Sequence, residues 1–269
     1  MRCRPKLVAL DMDGTLLNKS GVLTERTKAA VRAAREQGIY VTVATGRMYP
    51  SALPIILELG IDAPCVFYNG AVIKNPITHE VLYEKPISEE LTCEVLDFYR
   101  EHGWYLQIYH EDKLIVEDSS DPRCKYYESI AKINAVALGD DFWNFCGKSD
   151  KLLGISMQRE VFENMKNLTE EYFGDRLYIA ASWCAFVEMV NRDINKALAV
   201  KMVAESLGID REDVMTFGDG GNDKEMLAWA GVGVAMGNAP LYEREAADII
   251  APDNESDGAA EILERYLNL

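Results

Sequence analysis

The chain has 269 residues, an apolar fraction of 48% and a formal net charge of −16 at pH 7. That apolar content supports a packed core and excludes a disordered chain, and the length suits one large domain or two ordinary ones. The acidic balance argues against a nucleic-acid or anionic-membrane binder, which needs a basic face, and an anionic small ligand must meet a local cation from Lys, Arg or a metal.

The first third alternates strand and helix. "KLVAL" (6–10) is an apolar run of strand length. "TERTKAAVRAAREQ" (24–37) reads as a helix with Gly38 as its C′ residue. "IYVTVAT" (39–45) is β-branched and reads as a buried strand. A helix is expected over 48–60, weakened at its start by Pro50 and Pro54, and a third strand over 64–70. Continuous apolar strands separated by helices imply a parallel sheet covered on both faces.

The middle changes character. "VIKNPITHEVLYEK" (72–85) suggests a hairpin around Asn75-Pro76. A helix over 88–102, strands near 104–109 and 113–117 and a weak helix near 121–132 follow, then strand 151–157, helix 160–173 and strands 177–181 and 185–190. Aromatic residues run through this stretch, so residues 85–190 are expected to hold a core of their own as an α+β domain inserted into an α/β domain formed by 1–84 and 191–269. The α/β rhythm then resumes with helix 195–208, strand 214–218, helix 223–231, strands 232–236 and 248–252, and a closing helix from about Asp257.

Six cysteines, at 3, 65, 93, 124, 146 and 184, lie far apart without a C-x-x-C pair, which reads as buried or partly buried free thiols in a reducing cytosol. The apolar run after the basic N-terminus, Leu7 to Leu10, is too short for a signal h-region, and no stretch approaches a membrane span. A cytoplasmic location without membrane association is expected.

Four short pieces carry chemistry. "DMDGT" puts Asp11 and Asp13 at the carboxyl end of a strand, where α/β proteins bind ligands. Like charges that close require a cation or a shared proton; an Asx-type turn is the purely structural alternative. Gly14 comes too early for a calcium loop. "ATGR" (44–47) offers the Thr45 hydroxyl and the unobstructed Gly46 N–H near a helix start, suited to a phosphate oxygen or to an ordinary helix cap. Lys196 opens a helix, where a solvated side chain is the common case; it gains weight only in company, because the chain is acidic and a phosphate site needs a fixed positive charge. "GDGGND" (218–223) ends another apolar strand with Asp219 and Asp223, hard oxygen donors that suit Mg²⁺.

Taken in order, the four pieces identify the chain as similar to the haloacid dehalogenase-like superfamily, in its Cof-type group (subfamily IIB), whose large α/β cap lies between the second and third motifs. The resemblance spans the whole chain and includes "NGA" (69–71), "AMGNA" (235–239) and "DNESDGAAEIL" (253–263). It implies a Rossmann-like parallel sheet core with an inserted α+β cap, and a phosphatase acting on small phosphorylated metabolites, sugar phosphates foremost, as a monomer or small homo-oligomer. By the same resemblance Asp11 is the nucleophile that becomes an aspartyl phosphate. Asp13 is the acid and base. Asp11, the backbone carbonyl of Asp13 and Asp219 ligate Mg²⁺. Thr45, Gly46 and Lys196 hold the phosphoryl group, Asp223 orients the metal waters and the lysine, and Asn222 contacts substrate. A phosphoryl transition state spreads negative charge over its equatorial oxygens, so a metal and a lysine are the groups it needs. The chain departs from the family around the lysine, reading "RDINKAL" with Asp193, Asn195 and Ala197 at places commonly Gly, Ser and Gly. A sugar phosphomutase and a catalytically silent phosphometabolite-binding protein are the alternatives; the intact aspartates and lysine argue against the second. The segment Ser182–Ala185 is expected to help choose the substrate.

Overall fold

The structure is a computed structural model that describes residues 4–182 and 185–267. In chain order the elements are β1 (Leu7–Leu10), α1 (Glu25–Glu36), β2 (Tyr40–Val43), α2 (Tyr49–Glu58), β3 (Cys65–Phe67), β4 (Val72–Lys74) and β5 (Val81–Glu84). Then come α3 (Glu89–Glu101), β6 (Leu106–His110), β7 (Lys113–Val116), α4 (Pro122–Ala131), β8 (Val136–Ala137), β9 (Lys151–Ile155), α5 (Arg159–Phe173), β10 (Leu177–Ser182) and β11 (Phe186–Asn191). The chain closes with α6 (Lys196–Ser206), β12 (Val214–Gly218), α7 (Lys224–Trp229), β13 (Val232–Ala235), α8 (Leu241–Arg244), β14 (Ile249–Ile250) and α9 (Gly258–Leu267). These divide into two compact units. One comprises residues up to Gly46, Ala52–Tyr83 and the chain from Asn195; the other comprises Glu84–Ile194 with Arg47–Ser51.

The first unit is built on a five-stranded sheet in the order β14-β13-β12-β1-β2, all parallel. The four residues of β1 have no solvent exposure, as expected of a central strand covered on both faces. A parallel bridge between Ala44 and Val66 carries the sheet on to β3. Read across, the strands run β3-β2-β1-β12-β13-β14, the doubly wound order. The chain winds outward from β1 to β3 and later resumes on the opposite side of β1 with β12. The order therefore reverses between β1 and β12, and ligands of open α/β sheets bind outside the carboxyl ends of such a strand pair. β4 and β5 extend the unit as a hairpin with β3, turned by Asn75, whose Oδ1 accepts from the N–H groups of Ile77 and Thr78.

Local chemistry accounts for the helices. Thr24 caps α1 by accepting from the Thr27 N–H, a device worth about 1 kcal/mol. The buried residues Thr27, Ala30, Val31 and Ala34 recur at helical spacing. Gly38 stops the helix in the left-handed conformation, φ 79°.

The second unit carries a six-stranded sheet, β10-β11-β9-β6-β7-β8, antiparallel apart from the β7–β8 pair. Alternation gives it two different faces. Leu106, Ile108, Leu152, Val187 and Met189 join residues of α3 and α5, among them Tyr99 and Phe162, in one hydrophobic core. Tyr105, Gln107, Tyr109, Lys151 and Glu188 alternate with these and make the opposite face polar. There Lys151 Nζ lies 3.2 Å from Glu188 and 4.6 Å from the centre of the Tyr109 ring, and Gln107 bonds both Tyr105 and Tyr109.

Two short elements, β8 and α8, have no counterpart in the sequence-based expectation; each is too short to show a period. Cys65 and Cys124 are buried free thiols and Cys93 is partly buried, but Cys146 is exposed. Cys146 thus departs from expectation, its thiol donating to the Glu89 carboxylate rather than packing in a core. Cys3 lies outside the described residues. So do Trp183 and Cys184, the centre of the segment expected to help choose substrate.

Candidate active site

The β1–β12 reversal gathers the acidic residues. β1 ends at Asp11, whose N–H still pairs with the Phe217 carbonyl of β12 at 3.0 Å. Its carboxylate accepts from Lys196 Nζ at 2.5 Å, and the same ammonium donates to Asp223 Oδ1 at 2.7 Å. Lys196, Asp223 and Asp11 are 1%, 1% and 5% exposed, so this is an ion network without bulk water. Removing one partner from such a network strands a buried charge. The second Asp223 oxygen accepts from the N–H groups of Asp219 and Gly220, at 3.1 and 3.0 Å, which fixes the turn leaving β12.

Asp219 completes the group. Its two oxygens accept from the Thr15 hydroxyl at 3.1 Å and the Asn238 amide at 2.9 Å. The same Asn238 amide reaches the Gly14 carbonyl at 2.9 Å. Gly14 is obligatory here: a Cβ would lie 2.1 Å from Asp219 Oδ2, and the backbone has φ 82°. Asp13, half-buried beside this turn, is close enough for its charge to help push the Asp219 carboxyl above the usual carboxylate range.

Electrostatically the group is short of positive charge. Burial first, then Asp223, raises the Asp11 carboxyl well above the usual carboxylate range, against the pull of Lys196. Burial and Asp223 raise Asp219 as well, opposed by the Thr15 hydroxyl. Burial works against the Lys196 charge, but Asp11 and Asp223 outweigh it and hold the ammonium protonated. Oxygens of Asp11, Asp219 and Asp223 all lie within 4.8 Å of one another. Three carboxylates around one ammonium, donors all oxygen, fit a hard divalent cation.

The other expected residues fall as follows. Thr45, buried at the end of β2, bonds the Val66 carbonyl through its N–H and accepts from the Asn69 N–H. Gly46 follows it, partly exposed. Asn222 is buried and donates to Asn69 Oδ1 at 2.9 Å. Around the lysine, Asn195 caps α6 by accepting from the Leu198 N–H at 2.8 Å, and Ala197 packs inside the helix face. Asp193 pairs with Lys85 at 2.6 Å on an exposed surface, so its extra charge has a partner of its own.

Sequence reasoning missed the supports Thr15, Asn69 and Asn238, although "NGA" and "AMGNA" were visible as strings. It also missed Glu243 of α8. That residue is 0% exposed, with the Tyr242 side chain beside its carboxylate. Burial, then the charges of Asp223 and Asp219, pushes its carboxyl up to about 7.

Residues 8–263 match the haloacid dehalogenase-like hydrolase family. The chain is 28% identical to 5-amino-6-(5-phospho-D-ribitylamino)uracil phosphatase YitU of Bacillus subtilis (strain 168), covering 100% of each. It is 29% identical to YcsE, a phosphatase of the same description from the same organism, over 97% of this chain and 96% of the relative. Among solved structures, a haloacid dehalogenase-like hydrolase from Bacteroides thetaiotaomicron matches with a TM-score of 0.87 at 30% identity, covering 97% of this chain and 99% of that one. Sequence family, full-length relatives and fold agree, and the chain belongs to the haloacid dehalogenase-like hydrolases, an enzyme whose full-length relatives are phosphatases.

Proposed function

We propose that this enzyme is a Mg²⁺-dependent phosphatase that hydrolyses small phosphomonoesters, sugar or polyol phosphates in particular, through an aspartyl phosphate on Asp11. The observation that carries the reading is the buried Lys196 ammonium holding Asp11 and Asp223 while Asp219 stands beside them. The names of YitU and YcsE place the phosphate of their substrate on a ribityl chain, which supports a hydroxylated leaving group.

In this mechanism the Asp11 carboxylate attacks phosphorus and the bond to the leaving oxygen breaks. Asp13, less buried than Asp11, gives its proton to the departing alkoxide. Asp13 then takes a proton from water as that water attacks the aspartyl phosphate, releasing orthophosphate and restoring Asp11. Lys196 offsets charge on the phosphoryl oxygens, with the Thr45 hydroxyl and Gly46 N–H as further donors. Asp223 keeps Lys196 in place. Asp11, the Asp13 carbonyl and Asp219 would hold Mg²⁺, which when bound supplies charge neutralisation between anionic nucleophile and anionic substrate. We assign the choice of leaving group to the second unit, as a cap.

Orthophosphate release from a panel of sugar, polyol and nucleotide phosphates, with and without Mg²⁺, tests the proposal. Release is expected only with the metal. A sugar phosphate isomerised without release would replace hydrolysis by mutase chemistry, and silence across the panel would end the reading.

A further inference from the structure

The turn after β3 lies outside the four motifs, yet its backbone is the most constrained near the site. Tyr68 and Asn69 both take left-handed conformations, φ 51° and 56°, and both are buried. Asparagine tolerates this region; a bulky residue such as tyrosine enters it only where the surroundings over-determine the backbone. Such strain is a prompt to ask what the turn positions.

Asn69 meets the ends of three strands. It follows β3 itself. Its N–H donates to the Thr45 carbonyl at the end of β2, at 3.1 Å. Its side-chain Oδ1 accepts from Asn222 Nδ2 in the turn after β12, at 2.9 Å. The turn Tyr68–Gly70 also packs against α6, the helix that opens with Lys196. The Asn222 carbonyl is confined as well, since a Cβ on Gly220 would come within 2.8 Å of its Oδ1. With one amide N–H given to Asn69 and the carbonyl pressed over a glycine, the orientation of Asn222 follows from that of Asn69.

We propose that Asn69 is a positioning residue of the site: it orients the Asn222 amide and registers the Thr45 turn against it. This rests on the phosphatase reading above for what Asn222 and Thr45 do. A neutral amide suits the task, because it fixes direction without adding charge beside the carboxylates and the incoming phosphate.

The test is a double-mutant cycle. Asn69→Gly keeps the left-handed backbone and removes the amide, so side chain and strain are separated. It is combined with Asn222→Ala, and kcat and KM are measured on an aryl phosphate with Mg²⁺. Misplacing a substrate-orienting group by a fraction of an ångström to an ångström costs on the order of tenfold to a hundredfold in rate. Asn69→Gly is therefore expected to lower kcat/KM at least about tenfold when Asn222 is present, and less than about threefold when Asn222 is already alanine. Equal factors in both backgrounds overturn the proposal, since a merely structural loss does not depend on Asn222. Should Asn69→Gly not fold, Asn69→Ser takes its place in the same cycle and is read the same way. Orthophosphate binding by calorimetry separates this inference from the reading it rests on. A wild-type protein that hydrolyses nothing but binds orthophosphate more tightly than Asn69→Gly ends the phosphatase reading and keeps the positioning role. A wild-type enzyme that hydrolyses normally, with Asn69→Gly equal to it in both assays, does the reverse. Neither hydrolysis nor binding in the wild type overturns both.

Discussion

Glu243 offers a measurement whose magnitude follows from the structure. Its carboxyl is fully buried, and burial with Asp223 and Asp219, opposed by the Tyr242 side chain, lifts its pKa from 4.5 to about 7. A carboxyl raised on folding keeps its proton in the native state after the unfolded chain has lost it. Stability from this group is therefore fully present below pH 4.5 and is lost as pH rises through about 7. Each pKa unit is worth about 1.4 kcal/mol, so the difference amounts to about 3 kcal/mol. Glu243→Gln keeps the shape and cannot titrate. Urea unfolding of wild type and variant, followed from pH 4.5 to 8.5 in EDTA, should show the variant gaining about 3 kcal/mol on the wild type across that range. Taking the difference cancels other titrations to first order. A difference that stays flat with pH would mean that Glu243 ionises as freely in the folded protein as in the unfolded chain, and that the buried-acid reasoning is wrong.

The remaining predictions concern the chemistry. Asp11→Asn keeps size and removes the attacking anion; kcat should fall about a thousandfold or more while circular dichroism is unchanged, and wild-type turnover in the folded variant would remove Asp11 as nucleophile. Asp13→Asn should slow alkyl phosphates more than an activated aryl phosphate, whose leaving oxygen needs less protonation; equal losses would make Asp13 structural. Lys151→Met alone strands the buried Glu188 charge and should cost about 3–5 kcal/mol, whereas Lys151→Met with Glu188→Leu should restore stability.

The parallel sheet was legible because its strands are continuous apolar runs, and α1 starts at Thr24 and stops before Gly38 where the sequence placed it. Asp11 and Asp219 were legible because each terminates such a run. The supports were not. Asn69 looks like an ordinary turn residue until its φ of 56° and its bond to Asn222, 153 positions away, are known. Glu243 sits in "LYERE", whose alternating charge reads as a solvated helix face. Only tertiary packing buries it, and no local period carries that information. Lys151 and Glu188 begin or interrupt apolar strands, and period-two alternation places them on one face without saying that the face is closed to water.

The division of labour among side chains at the β1–β12 reversal has a simple electrostatic logic. Three carboxylates, two of them buried, stand beside one buried ammonium, so each further anion raises the cost of the others, and each further cation would compete with a bound metal for the same oxygens. Rigidity must then come from groups without charge. Thr15 and Asn238 hold the two oxygens of Asp219, backbone N–H groups hold Asp223, and Asn69 holds Asn222. All are neutral donors or acceptors of fixed direction, as a preorganised site requires. On the proposed reading, the charged residues are left to respond to what arrives: a divalent cation that offsets their repulsion and a phosphate that Lys196 can meet. Glu243 fits the same logic from the other side, since a further acid this close is tolerated in its neutral, protonated form.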